Sequence, residues 1–288
     1  MLDILAGNDA AQAVLEAAST AAEIDLVAVV RSKTDIFANH IAQPLICAYN
    51  MAAWAALAPL LPVPVLFAGY SVGELAAYGC AGSLSISETI RLALERAALM
   101  NAASPEAAGL VAVLGLTRRQ IDALCVATDS EIAIVNGDEH FVVGGTVAAL
   151  DRCSVLAVAG GAKVQRLSVS VPAHTSLLTM ASTHFRSVLE SSSLDSPTIP
   201  VLAGVSGAAV SDRRAVIDSL SRQISTTVQW SACLDAAVER GCRAFLELGP
   251  GDGLARMVRE RFPSLAARSL ANFRSLKGSA EWVMRALE

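Results

Sequence analysis

The stretch VLFAGYSVGELAAYG, residues 65–79, permits few local structures. PVLFA, residues 64–68, reads as a short buried strand, and ELAAYGCAG as a helix that ends in glycine. Between them Gly-Tyr-Ser-Val-Gly must turn the chain sharply from strand to helix. Gly69 and Gly73 leave room for that turn. It lifts the Ser71 hydroxyl out of the sheet and aims the Val72 amide, at the helix N-terminus, toward any anion forming beside the serine. The bland alternative is a glycine-rich turn with an idle serine, since this pattern also arises by chance.

Helix and strand signals alternate along the 288 residues, which argues for an α/β protein with a largely parallel sheet. Residues 9–22 and 41–58 read as helices. SISETIRLALERAALMNAA is a further helix, with Ser85 and Glu88 spaced as a capping box. After Ser104-Pro105 the order becomes strand, helix, two strands, helix, strand, which is the ferredoxin-like plan. The expected organisation is a main subdomain of residues 1–103 and 172–288, interrupted by a small subdomain of residues 104–171.

Bulk properties exclude several classes of function. Hydrophobic residues make up 53% of the chain, enough for a large core. A formal net charge of −5 gives no support to nucleic-acid binding. Six cysteines without CxxC or His/Cys metal spacing point to a reduced, cytoplasmic protein with no bound metal. The apolar stretch from Ala52 to Phe67 contains Pro59, Pro62 and Pro64, which argues against a membrane span.

A nucleophilic serine needs a base. There are four histidines: His40, His140, His174 and His184. His174, in SVSVPAHTSLL, stands where the chain should return from the small subdomain to the main sheet, and is the best placed of the four to face a cleft. Arg96 is the second anomaly. Glu88, Arg91 and Glu95 share one polar helix face, whereas Arg96 falls among Leu92, Ala93, Leu99 and Met100. A buried arginine keeps its charge and needs an anionic partner, either a protein carboxylate or a substrate carboxylate.

Taken together, these segments resemble the malonyl-CoA:acyl-carrier-protein transacylase family. GYSVGELAAYGCAG is similar to its Gly-His-Ser-x-Gly-Glu region, and LALERAALMNAA to its helix with arginine and, four residues on, methionine. IVNGDEHFVVGG looks like its asparagine-bearing strand pair. SVPAH, TTVQW and LELGPG match further segments, in the family's order and near its spacing. The resemblance implies an α/β-hydrolase-like large subdomain with a parallel sheet and an inserted ferredoxin-like small subdomain. It implies that Ser71 is acylated, that His174 is its base, that the backbone carbonyl of Gln229 orients the imidazole, and that Val72 supplies an oxyanion amide. It places Arg96, Tyr70, Asn136 and Met100 at the substrate, with Arg96 gripping the malonyl carboxylate. No cofactor is implied. Malonyl-CoA is the implied donor and an acyl carrier protein the acceptor, without nucleic acid or membrane. Arg118, Arg119, Lys163 and Arg166 are candidates for carrier or CoA phosphates, or ordinary solvated charges.

Two departures from the family pattern matter. Tyr70 replaces the histidine before the serine, and GYSVGELAAYG with VPAHT is most similar to the transacylase (epsilon) subunit of malonate decarboxylase. There the acceptor is a carrier subunit bearing a CoA-derived group. The family's opening strand and Gly-Gln-Gly-x-Gln loop, the source of a second oxyanion amide, have no counterpart here, and MLDILAG looks like the segment just after them.

Competing readings remain at this stage. A malonyl transacylase of fatty-acid or polyketide synthesis shares all the motifs. A serine hydrolase or thioesterase would share the elbow but gives Arg96 no role. FLELGPGDG also matches the glycine-rich loop of S-adenosylmethionine methyltransferases, though only 35 residues follow Gly253. An inactive homologue lacking the opening loop is the non-enzymatic reading.

Overall fold

A computed structural model describes residues 3–32 and 36–288; Met1 and Leu2 of the opening segment lie outside it. Its helices are α1 (Asp9–Ala22), α2 (Leu26–Ser32), α3 (Asn39–Leu57), α4 (Val72–Cys80), α5 (Ile86–Ala103), α6 (Arg118–Thr128), α7 (Val147–Ala159), α8 (Thr179–Glu190), α9 (Arg213–Gln223), α10 (Trp230–Glu239), α11 (Gly253–Arg261) and α12 (Leu276–Leu287). The strands are β1 (Phe67–Ala68), β2 (Ala108–Leu114), β3 (Glu131–Gly137), β4 (His140–Thr146), β5 (Lys163–Arg166), β6 (Val201–Leu202), β7 (Ala209–Val210), β8 (Ala244–Glu247) and β9 (Ala266–Ser269).

The main body is α/β, but its sheet is in two pieces. β1 runs parallel to β6, and β6 antiparallel to the short edge strand β7; β8 and β9 form a separate parallel pair. Among the described residues β1 and β8 are each bonded along one edge only, and both are partly exposed. Only two residues of the expected strand 64–68 enter the ladder, and Pro64 has no amide to offer it. Helix α3 has the length and hydropathy of a membrane span, yet it lies against α1, α4 and α5 with Leu45, Cys47, Ala48, Ala52 and Leu57 buried.

Residues 108–166 form a four-stranded antiparallel sheet of order β3-β4-β2-β5, with α6 and α7 packed on one face. Alternation along the strands sorts its side chains. Val111, Val113, Ile132, Phe141 and Val143 join the core beneath α6 and α7, whereas Leu110, Ala133 and Val142 join the core of the main body. Main-chain bonds also stitch the two parts together. Val135 N–H donates to the Val228 carbonyl at 2.8 Å and Val228 N–H to Ala133 at 2.9 Å. That stitch holds β3, which carries Asn136, against the segment that leads into α10.

Helix α5 begins as its cap predicts, with Ser85 Oγ accepting from Glu88 N–H at 3.2 Å. The reciprocal half of the expected capping box does not form. Glu88 instead takes Arg91 in a two-point pair at 2.8 and 2.9 Å and accepts the Ser193 amide. The guanidinium, with its charge, outcompetes a backbone amide for the carboxylate.

Candidate active site

Ser71 sits at the N-cap of α4 with φ 54 and ψ −120, a left-handed strain for a side chain with a Cβ. The turn is so tight that a Cβ at Gly69 would fall 2.1 Å from the Gly73 carbonyl and the Glu74 nitrogen, so only glycine fits there. Val72 N–H, in the first turn of α4, has no acceptor four residues back and is presented beside Ser71.

The histidine meets the serine. His174 Nε2 lies 2.8 Å from Ser71 Oγ, and His174 is itself buried with φ 65. Serine and histidine are therefore both held on strained backbone, 103 residues apart in the chain. The other ring nitrogen, Nδ1, lies 2.5 Å from the backbone carbonyl of Gln223. That carbonyl belongs to the last residue of α9, where it has no helical partner, so the ring N–H satisfies it. His174 N–H also donates to the Ile224 carbonyl at 2.8 Å. The end of α9 thus fixes both the ring and its main chain.

This corrects the expectation for Gln229. Its carbonyl is committed to Cys233 N–H at the start of α10, and its amide to the Gly204 carbonyl. Gln223, six positions upstream, takes the role instead.

Burial, together with the charge of Arg96, pushes the His174 imidazole down to about 3; the bond to Gln223 works weakly the other way. The ring is therefore neutral and ready to accept a proton at any ordinary pH. Single-turnover acylation of Ser71 by a thioester should stay flat between pH 8 and pH 5. A base at the ordinary histidine value would lose about thirtyfold over that range. A stopped-flow pH profile with a sharp fall near pH 6.5 would overturn this. The same shift has a stability consequence. The unfolded chain binds this proton below pH 6.5 and the native chain only near 3, so stability is complete above 6.5 and declines as the pH falls between the two.

Arg96 is 2% exposed, and its two acceptors are neutral amides. Nη1 donates to Gln43 Oε1 at 2.8 Å and Nη2 to Gln223 Oε1 at 3.0 Å. Among the described residues no carboxylate lies within ion-pair distance of it. Of five N–H donors, two meet acceptors. Burial depresses its pKa to about 10, so it remains a cation. One amide separates it from Ser71, since Gln223 Nε2 also reaches the Ser71 carbonyl at 3.2 Å.

The remaining predicted residues take different places. Met100 is fully enclosed and touches the site through Gln43, whose Nε2 approaches Sδ at 3.5 Å, so it supports the Arg96 cradle from behind. Tyr70 stands edge-on to Trp230 with centroids 5.4 Å apart. Asn136 is buried, with Nδ2 3.3 Å from His140 Nε2 and its side chain close enough to Tyr70 to act on the phenol. Arg118 and Arg166 are engaged within the small subdomain by Asp122 and Asp151. Among the described residues no cluster of His, Cys, Asp and Glu could hold a metal.

A serine on a strained strand–helix turn, a histidine bonded to it and a helix-end amide beside it have the geometry that nucleophilic acyl chemistry requires. The chain belongs to the acyl transferase domain family, whose model matches residues 2–276. Within that class its relatives are malonyl transacylases. It is 30% identical over 247 residues to the malonyl CoA-acyl carrier protein transacylase of Haemophilus influenzae, covering 82% of this chain and 79% of that one. It superposes on FabD from Acinetobacter baumannii with TM-score 0.94 and 28% identity, over 99% and 94% of the two chains. It also superposes on a malonyl-transacylase solved with its type II PKS acyl-carrier protein, with TM-score 0.93 and 29% identity over 98% and 94%.

Proposed function

We propose that the protein moves a malonyl group from malonyl-CoA to the phosphopantetheine-type thiol of an acyl carrier protein. The observation that carries the reading is Arg96, a buried cation that touches two neutral amides and, among the described residues, no carboxylate directly, one amide away from Ser71. A malonyl group brings the missing carboxylate, and the planar guanidinium can grip it at two points.

In the first half-reaction Ser71 Oγ attacks the thioester carbonyl while His174 Nε2 takes its proton. The carbonyl oxygen becomes an oxyanion facing the Val72 amide. Collapse breaks the C–S bond, and coenzyme A leaves with the proton from His174. In the second half the carrier thiol gives its proton to His174 and attacks the malonyl ester, and Ser71 leaves with that proton. The buried base and half-buried serine favour a thiol delivered on a carrier arm over bulk water. The six free cysteines fit a cytoplasmic location.

Tyr70 supports a finer assignment, in which the acceptor is the carrier subunit of malonate decarboxylase with its CoA-derived group. The test offers malonyl-enzyme two acceptors, that carrier and a phosphopantetheinyl carrier of fatty-acid synthesis, and measures transfer to each. Faster transfer to the decarboxylase carrier is the expected result. The reverse order would assign the protein to fatty-acid or polyketide synthesis.

A further inference from the structure

Glu74 is a fully buried carboxylate that the acyl-transfer steps do not use. It lies in the first turn of α4, three residues after Ser71. Its Oε1 accepts from Ser219 Oγ at 2.5 Å, and its Oε2 from Gly204 N–H at 2.9 Å and from Gln223 Nε2 at 2.5 Å. Every partner is a donor, as an ionised carboxylate requires. Burial pushes its pKa up, and these three bonds together with the charge of Arg96 oppose that.

The side chain of Gln223 therefore stands between two buried groups of opposite charge. A guanidinium only donates and a carboxylate only accepts, so one orientation of the amide is possible: Oε1 to Arg96 and Nε2 to Glu74. The main-chain carbonyl of the same residue holds His174 Nδ1. Gln223 thus meets the carboxylate-binding cation with its side chain and the base with its backbone, and Glu74 is the anionic anchor of its amide.

We propose that Glu74 is a positioning residue that, through the Gln223 amide, couples the grip of Arg96 on the acyl carboxylate to the alignment of His174. Without Glu74 the amide keeps its orientation through Arg96 and the Ser71 carbonyl at 3.2 Å but loses its strongest anchor, so Oε1 no longer holds the guanidinium in place for the substrate carboxylate. Substrates with a carboxylate should suffer more than those without.

This rests on Arg96 as the malonyl-binding residue, so the experiment includes Arg96→Ala. Transfer of malonyl and of acetyl from their CoA thioesters to a holo carrier is measured for the wild type, Glu74→Ala, Glu74→Gln and Arg96→Ala. Glu74→Ala should lower malonyl kcat/KM on the order of 100-fold and acetyl on the order of 10-fold, the range expected for charge-assisted hydrogen bonds. Glu74→Gln keeps an acceptor for Gln223 and should restore the malonyl-to-acetyl ratio to within about threefold of wild type. Equal losses on both substrates in Glu74→Ala would make the residue merely structural and overturn the proposal. Should Glu74→Ala fail to fold, Gln223→Met keeps the main-chain carbonyl and removes the amide. A tenfold fall in the ratio supports the coupling, and an unchanged ratio overturns it. If Arg96→Ala keeps the malonyl preference, the underlying functional reading fails instead, which is a distinct outcome.

Discussion

Ser71→Ala should abolish the covalent malonyl adduct and lower transfer to a carrier by about four to six orders of magnitude, the scale of loss when a serine nucleophile is removed. The substitution deletes one oxygen and leaves its surroundings in place. His174 stays bonded to Gln223 and Ile224, Arg96 to Gln43 and Gln223, and the turn keeps its Gly69 contact with α4. Binding of malonyl-CoA should survive within a few-fold, so the loss falls on kcat. Incubation with malonyl-CoA followed by intact mass should show one malonyl on the wild type and none on the variant. A full adduct on Ser71→Ala would place the acyl group elsewhere and remove the basis of the mechanism.

Much of the site was legible because it rests on local constraints. A strand, two glycines and a helix force the turn at Ser71 whatever surrounds it. An arginine on an apolar helix face must be buried, and it is. His174 is recognisable only by its place at a junction of subdomains, and its strained backbone had no signal in the sequence.

Helix α9 escaped sequence reading, and with it Gln223. An amphipathic helix is found by apolar residues at i, i+3, i+4 and i+7. In α9 the buried positions are Val216, Ile217, Ser219, Leu220, Ser221 and Gln223. Three of the six are polar: Ser219 and Gln223 bind Glu74, Gln223 also binds Arg96, and Ser221 turns back to the Ile217 carbonyl. The apolar period fails where the site requires hydrogen bonds inside the core. The available signal was Asp212, an N-cap residue whose carboxylate accepts Ala215 N–H at 2.9 Å. The division of the parallel sheet was equally hidden, since pairing between distant strands leaves little trace in a single sequence.

Arg96→Ala carries the other large expected effect, and its direction follows from charge accounting. In the resting site the guanidinium is buried with two neutral acceptors, so its desolvation is only partly offset. A carboxylate entering the site completes that balance, and a neutral acetyl group does not. The substitution should therefore lower malonyl kcat/KM by about 100- to 1,000-fold, the range for removing one partner of a buried charge pair. Acetyl transfer should hold or rise, since acetyl forfeits no ion pair. Stability is a poor readout here, because losing a buried charge stabilises while the orphaned Oε1 atoms of Gln43 and Gln223 destabilise, and the two oppose. Arg96→Lys separates charge from shape. An ammonium keeps the cation but cannot bind both carboxylate oxygens and both amides, so it should recover only part of the malonyl preference. Parallel losses for malonyl and acetyl in Arg96→Ala would assign the arginine to holding α5 against α3 and α9. A selective loss assigns it to the substrate, and makes the lack of a carboxylate in direct contact with the guanidinium the reason the site prefers an acid.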